Sequence, residues 1–148
     1  MDIGANHPAA LNNTYFFYKH GWRGINVEPH PQRYQQLCSF RNKDLNLNLA
    51  ISNKRTTLNY YIFKNDVLST TSATKAKQYQ NMGHVLVKTI RIPTLPLAHI
   101  LETHLPKNSP IDILSIDTEG LDLEILKSNN WKLFRPKFIV LETLEYQN

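Results

Sequence analysis

An α/β fold on a mostly parallel sheet is what this sequence predicts, and three observations predict it. Short runs rich in Ile, Val and Leu alternate with stretches of helical periodicity along the 148 residues, the pattern of parallel strands joined by helical crossovers. Acids stand where the strand-like runs end: Asp2, Glu28, Asp117 and Glu142. Two strand-like runs, Leu58 to Phe63 and Val85 to Ile92, are separated only by a polar stretch without a strong pattern, which predicts an antiparallel hairpin inserted into the sheet.

The elements follow in order. Met1-Asp2-Ile3 reads as the last residues of a strand whose beginning is missing, since a strand needs about five or six residues, and a turn follows at once. Leu11, Tyr15, Phe16 and Tyr18 recur at helical spacing and predict a helix over Asn12 to Lys19, stopped by Gly21. Gly24 to Glu28 is a short strand ending in an acid. Pro29 and Pro31 turn the chain into a helix over Gln32 to Phe40. Leu45, Leu47, Leu49 and Ile51 alternate with polar residues, predicting one strand from Leu45 to Ser52. Leu58 to Phe63 is aromatic and β-branched, another strand. Asp66 to Gly83, rich in Ser and Thr, reads as a mobile excursion with a helical turn near Lys75 to Gln80. The strand from Val85 ends at Pro93, and Thr94 caps a helix from Leu95 to Leu105, with Pro96 in its first turn and Pro106 as its stop. Ile111 to Ile116 is a strand, Leu121 to Ser128 a helix, and Lys137 to Leu141 the last strand.

Bulk composition narrows the function classes. The length suits one domain spanning 1–148. A hydrophobic fraction of 41% and a charged fraction of 20% are those of a globular protein. No apolar run approaches the ~20 residues of a membrane span, and no basic segment precedes an apolar run at the N-terminus, so neither membrane nor signal peptide is expected. Cys38 has no cysteine partner, which points to a reducing, cytoplasmic setting. The net charge is +5, but the basic residues are scattered, without a tight run or an aromatic ladder, and no nucleic-acid partner is expected.

The chemistry sits at the strand ends, because ligands in open parallel sheets bind beyond the carboxyl ends of the strands. Turns also favour Asp for local hydrogen bonding, so any one such acid carries little. In the first turn, Asp2-Ile3-Gly4-Ala5-Asn6, Gly4 allows a positive φ or a close ligand approach. A dinucleotide fingerprint needs Gly-x-Gly-x-x-Gly, and here Asn6 and Ala9 stand in the next two glycine places. That disfavours a nicotinamide-dependent oxidoreductase, whose pyrophosphate needs the second glycine. S-Adenosylmethionine has no phosphate and tolerates the turn. Glu28, about 20 residues on, is placed to accept from ribose hydroxyls, and Asn6 with backbone amides can hold the methionine carboxylate.

Asp2-Ile3-Gly4-Ala5-Asn6 resembles the first motif of FkbM-type methyltransferases. Gly21 to Pro29, Asn48-Leu49-Ala50-Ile51-Ser52, Leu114 to Gly120, and Asn129-Asn130-Trp131 with Arg135-Pro136-Lys137 leading to Glu142 also resemble the family, in the right order over nearly the whole chain. The resemblance implies a Rossmann-like class I methyltransferase sheet and an S-adenosylmethionine-dependent O-methyltransferase acting on a hydroxyl of a sugar or other small metabolite. By position, Asp2, Gly4, Ala5 and Asn6 would line the methionine end of the cofactor, Glu28 would hold the ribose with Pro29 shaping the wall, and Asn48, Leu49 and Ala50 would pass near the adenine. Asp117, Glu119 and Gly120 would border the transferred methyl. The family often has glycine where His7-Pro8 stands. The fold usually has two more strands, so the chain is expected to be truncated at both ends. A non-catalytic, cofactor-binding remnant of such an enzyme is the alternative, and a second copy of the chain would cover the open sheet edge as a homodimer.

A hydroxyl acceptor needs its proton taken or its pKa lowered by a metal. Asp117 is the first candidate base, Glu119 the second and His7 the third. A divalent cation could sit between Asp117, Glu119 and Glu142, but Glu119 reads equally as a cap of the helix that follows, and no metal ligand is assigned. His99 and His104 are placed on a surface helix, Trp22 and Trp131 read as core anchors, and Cys38 as a small buried group.

Overall fold

In a computed structural model that describes residues 1–118 and 120–141, eight strands and five helices follow one another, in alternation except where β3, β4 and β5 are consecutive. In chain order they are β1 (Asp2–Ile3), α1 (Tyr15–Lys19), β2 (Ile25–Val27), α2 (Pro31–Phe40), β3 (Leu45–Leu47), β4 (Ala50–Ile51), β5 (Thr56–Phe63), α3 (Ala73–Asn81), β6 (Leu86–Leu95), α4 (Leu97–His104), β7 (Ile113–Ile116), α5 (Asp122–Lys127) and β8 (Phe138–Leu141). The main sheet has the order β3-β2-β1-β7-β8, with every pair parallel. A second sheet, β4-β6-β5, contains the antiparallel β5–β6 pair. The architecture is Rossmann-like α/β, with the hairpin set into it.

The two faces of the main sheet differ in chemistry. On one face Ile3, Ile25, Val27, Leu114 and Ile116 pack against Leu97, Ile100 and Leu101 of α4 and Ile125 of α5. A parallel sheet normally buries apolar residues on both faces. Here the register places Asn46, Asn26, Asp2 and Ser115 side by side across β3, β2, β1 and β7, and Asn26, Asp2 and Ser115 are buried. This polar row is fully engaged. Asn26 donates to Asp44 and Asn46, Thr14 and Asn12 donate to Asp2, and Asn13 donates to Ser115. The buried Arg41 guanidinium ties the row together by donating to Asp44, Asn12 and Thr14. Satisfied networks of this kind hold a unique geometry; half-satisfied ones are costly.

Several expectations need correction. The segment predicted as one strand, Leu45 to Ser52, divides between two sheets: β3 pairs with β2 and β4 with β6. Between them, the Asn48 amide donates to the carbonyls of Glu28 and Pro29, which breaks the run. The first helix starts at Tyr15 rather than Asn12, because Asn12 and Thr14 spend their side chains on Asp2. Strand β6 runs through Pro93 to Leu95. Its neighbour β4 reaches only Thr94 and Leu95, so at Pro93 the strand is still an edge, where a missing N–H is tolerated. Thr94 is therefore a strand residue, bonded to Ser52 and the carbonyls of Lys54 and Thr56, and Pro96 takes the cap position. The stretch from Asp66 is built, not an excursion: a 3-10 turn over Asp66–Leu68, a bridge between Tyr61 and Thr70, then α3 capped by Ser72. Cys38 is exposed because Leu37 takes the buried face of α2. Trp22 is 46% exposed, so it is no core anchor; Trp131 is half-buried and donates its indole N–H to the Leu126 carbonyl. His99 and His104 are exposed on α4, as expected.

Candidate functional site

The strand order reverses direction at β1, which has β2 on one side and β7 on the other. Such a switch point leaves a crevice outside the carboxyl ends of the strands, and here a cleft of about 560 Å³ opens there. The loops after β1, β2 and β7 line it with Gly4 to His7, Glu28 to His30, and Asp117 with Thr118. Ala50, Ile51 and Tyr60 form an apolar wall, and the insertion adds Asp66 to Thr71. The volume falls within the ~300–1,000 Å³ usual for small-molecule sites. A second hollow, at the opposite ends of the strands, holds only about 110 Å³.

The first turn is set by Gly4. Its φ is +78°, and a Cβ there would stand 1.8 Å from the Asp117 carbonyl oxygen. Only glycine lets β1 turn this close to the end of β7. The N–H groups of Gly4 and Ala5 then donate to the Val27 carbonyl, and that of Asn6 donates to Glu28 Oε2 at 2.7 Å. The other Glu28 oxygen accepts from the His30 N–H, also at 2.7 Å. Glu28 thus latches the β1 turn to the β2 turn, and each oxygen retains lone-pair capacity for a ligand. Burial pushes the Glu28 carboxyl up to about 7; the two backbone N–H bonds pull the other way but do not cancel it. Burial also raises the Asp2 carboxyl, partly offset by Thr14. Burial lowers the His30 imidazole. At the rim, Arg33 pairs with Asp66; despite some burial, that guanidinium holds Asp66 below the usual carboxylate range.

The family model for the methyltransferase FkbM domain matches residues 2–147. The chain belongs to the FkbM methyltransferase family. No curated protein and no solved structure gives a match.

Within this FkbM domain, most of the residues singled out in sequence converge on the cleft: Asp2, Gly4, Ala5, Asn6, His7, Glu28, Pro29, Ala50 and Asp117 all line it. Asn48 and Leu49 do not. Asn48 staples the β2 turn, and Leu49 packs against the core. Glu119 and Glu142 lie outside the described residues. Among the described residues, no cluster of three or more His, Cys, Asp or Glu is placed to hold a metal. His7 Nδ1 accepts from the N–H groups of Ala9 and Ala10, which leaves the ring proton of neutral His7 on Nε2 and makes that atom a donor.

Sequence reasoning missed three contributors. His30 lines the cleft, and its buried Nδ1 has no partner among the described residues; it stands two places after the Glu28 that it helps to hold. Tyr60 and the Asp66–Thr71 segment form the far wall, although their sequence looked like hairpin and linker. Arg41, 3% exposed, braces the first turn from beneath through Thr14 and Asn12. A buried arginine just past the end of a helix carries no signal in a one-dimensional pattern.

Proposed function

We propose that this FkbM domain binds S-adenosylmethionine in the cleft and methylates a hydroxyl of a sugar or other small metabolite. The observation that carries the reading is the Glu28 latch. The Asn6 amide, which in a dinucleotide site would face a phosphate, donates instead to a carboxylate. Asp117 and Glu28, the latter charged above its raised value of about 7, line the cleft beside the turn, while the nearby Arg33 is paired with Asp66. That field suits a ligand with a sulfonium and an ammonium group and opposes a pyrophosphate, against the nicotinamide reading. The room and the apolar wall of Ala50, Ile51 and Tyr60 suit an adenine.

When bound, the cofactor supplies an electrophilic methyl group, and transfer requires acceptor oxygen, carbon and sulfur in line. Glu28 accepts from the ribose hydroxyls with the lone pairs its backbone bonds leave open. The N–H groups of Gly4, Ala5 and Asn6 are spent on the Val27 carbonyl and on Glu28. Contrary to the expectation from sequence, the turn therefore borders the methionine end by close approach and does not hold its carboxylate through backbone amides. Asp117 takes the acceptor proton at its carboxylate as general base. His7 Nε2 donates, which gives it an orienting role rather than that of base. A reducing cytoplasm suits both this cofactor and the exposed Cys38 thiol; among the described residues no helix is long and apolar enough to cross a membrane.

A second reading, a cofactor-binding domain without transfer activity, draws on β8, whose Phe138 to Leu141 are exposed apolar residues at the edge of the sheet among the described residues. Incubation with methyl-labelled cofactor and a panel of sugars and phenolic or alcoholic metabolites separates the two. Label transferred to one acceptor class, and lost in Asp117→Asn with cofactor affinity retained, supports the enzyme. Binding without transfer to any acceptor supports the second reading.

A further inference from the structure

Leu11 has a backbone φ of +53° and is 98% exposed. A single exposed leucine is ordinary. A bulky residue in the left-handed region is not, since only Gly and, less often, Asn or Asp adopt it readily. The conformation is imposed from both sides. On one side the Ala10 N–H donates to His7 Nδ1 at 2.9 Å. On the other the Asn12 amide donates to the Ala5 carbonyl at 2.8 Å and to Asp2, while its Oδ1 accepts from Arg41 at 3.0 Å. Leu11 is the crest between two anchored residues. Backbone strain held by an over-determined surrounding collects at ligand sites, and Leu11 lines the cleft.

An Asn at this position would accept the backbone and suit the solvent. The leucine is therefore unexplained by the unliganded fold. The loop is also anchored to the turn and to β7: Asn12 donates to the Ala5 carbonyl at 2.8 Å and Asn13 to Ser115 Oγ, two residues before Asp117, at 3.0 Å, which keeps Leu11 beside the turn assigned to the methionine end. We propose that Leu11 is a ligand-contacting lip of the cleft, which lays its isobutyl group over the methionine half of the bound cofactor and keeps water from the transfer end. The inference rests on the cofactor reading given above. It adds a positioning contact from a loop residue that neither the strand-end acids nor the glycine turn supplies.

Titration calorimetry with S-adenosylhomocysteine and with 5′-methylthioadenosine, which lacks the amino-acid end, tests it on the whole chain. Leu11→Asn is expected to melt at or above the parent temperature, to bind S-adenosylhomocysteine roughly tenfold more weakly, the scale of one lost aliphatic contact, and to bind 5′-methylthioadenosine unchanged. Leu11→Met, which keeps the apolar reach, is expected to restore the affinity. Unchanged S-adenosylhomocysteine affinity in Leu11→Asn overturns the proposal. So does an equal loss for both ligands, or a fall in melting temperature, which would make Leu11 a structural residue. If the parent chain gives no heat with S-adenosylhomocysteine, the cofactor reading itself falls, and the lip with it.

Discussion

Replacing Glu28 with Gln removes a buried charge without changing shape, and the consequence is a pH dependence whose sign is fixed. In the folded chain the Glu28 carboxyl is raised by burial from 4.5 to about 7. Between these values the folded state holds a proton that the unfolded chain has released, so stability falls as pH rises from about 4.5 to 7 and is level above that. Raising a carboxyl to this extent corresponds to about 3 kcal/mol, because one pKa unit is worth about 1.4 kcal/mol. Asp2 is raised in the same way and would blur the parent's profile. Subtracting the Glu28→Gln profile removes the Asp2 contribution, apart from its coupling to Glu28. Urea denaturation of both proteins at intervals from pH 4 to pH 8 is the assay. The parent should lose about 3 kcal/mol relative to the variant across that window. At high pH the variant still forfeits one of the two 2.7 Å backbone bonds, since its amide NH₂ cannot accept; that lowers the whole variant curve without tilting it. A difference that is flat from pH 4 to pH 8 would refute the claim that Glu28 is a desolvated latch.

Three further outcomes follow from the same geometry. Gly4→Ala should destabilise by at least about 2 kcal/mol, because its Cβ would strike the Asp117 carbonyl and its φ is positive; Gly24→Ala, with open space around it, should stay within about 0.5 kcal/mol by thermal denaturation. Arg41→Met should cost about 3 kcal/mol in urea, since it strands the buried Asp44 carboxylate, and a second change, Asp44→Asn, should recover part of that loss. Asn48→Ala should cost about 1–2 kcal/mol through the lost bonds to the Glu28 and Pro29 carbonyls, yet leave the cofactor affinity of the folded protein unchanged by calorimetry; weaker binding at unchanged stability would return Asn48 to the adenine wall.

What was legible in the sequence was whatever a local pattern encodes. Ile25-Asn26-Val27 and Ile113 to Ile116 announce strands, and the acids that follow them mark the cleft edge, because strand ends and ligand crevices coincide in parallel sheets. The polar face was hidden because alternation reads Asn26 as half-exposed, whereas it is 1% exposed and bonded to Asp44 and Asn46. A signal existed: Asn26, Asn46 and Ser115 each sit between apolar residues in short strands, at one register position. The break after Leu47 could not be seen, since Leu49 and Ile51 continue the alternation while the hydrogen bonds change sheets. The cleft wall from Asp66 to Thr71 was opaque for a different reason. Its order comes from a bridge to Tyr61 and from Ser69 accepting the Phe63 N–H, which are tertiary contacts with no periodicity of their own.

The central claim is that the crevice beyond β1, β2 and β7 is built for S-adenosylmethionine. Calorimetric titration of the chain at pH 8, above the Glu28 transition, with S-adenosylmethionine, S-adenosylhomocysteine and NAD in parallel tests it most directly. The account predicts saturable heat with the first two, weakened by Glu28→Ala, and none with NAD. Binding of NAD alone, or no heat with either adenosyl ligand, would contradict it.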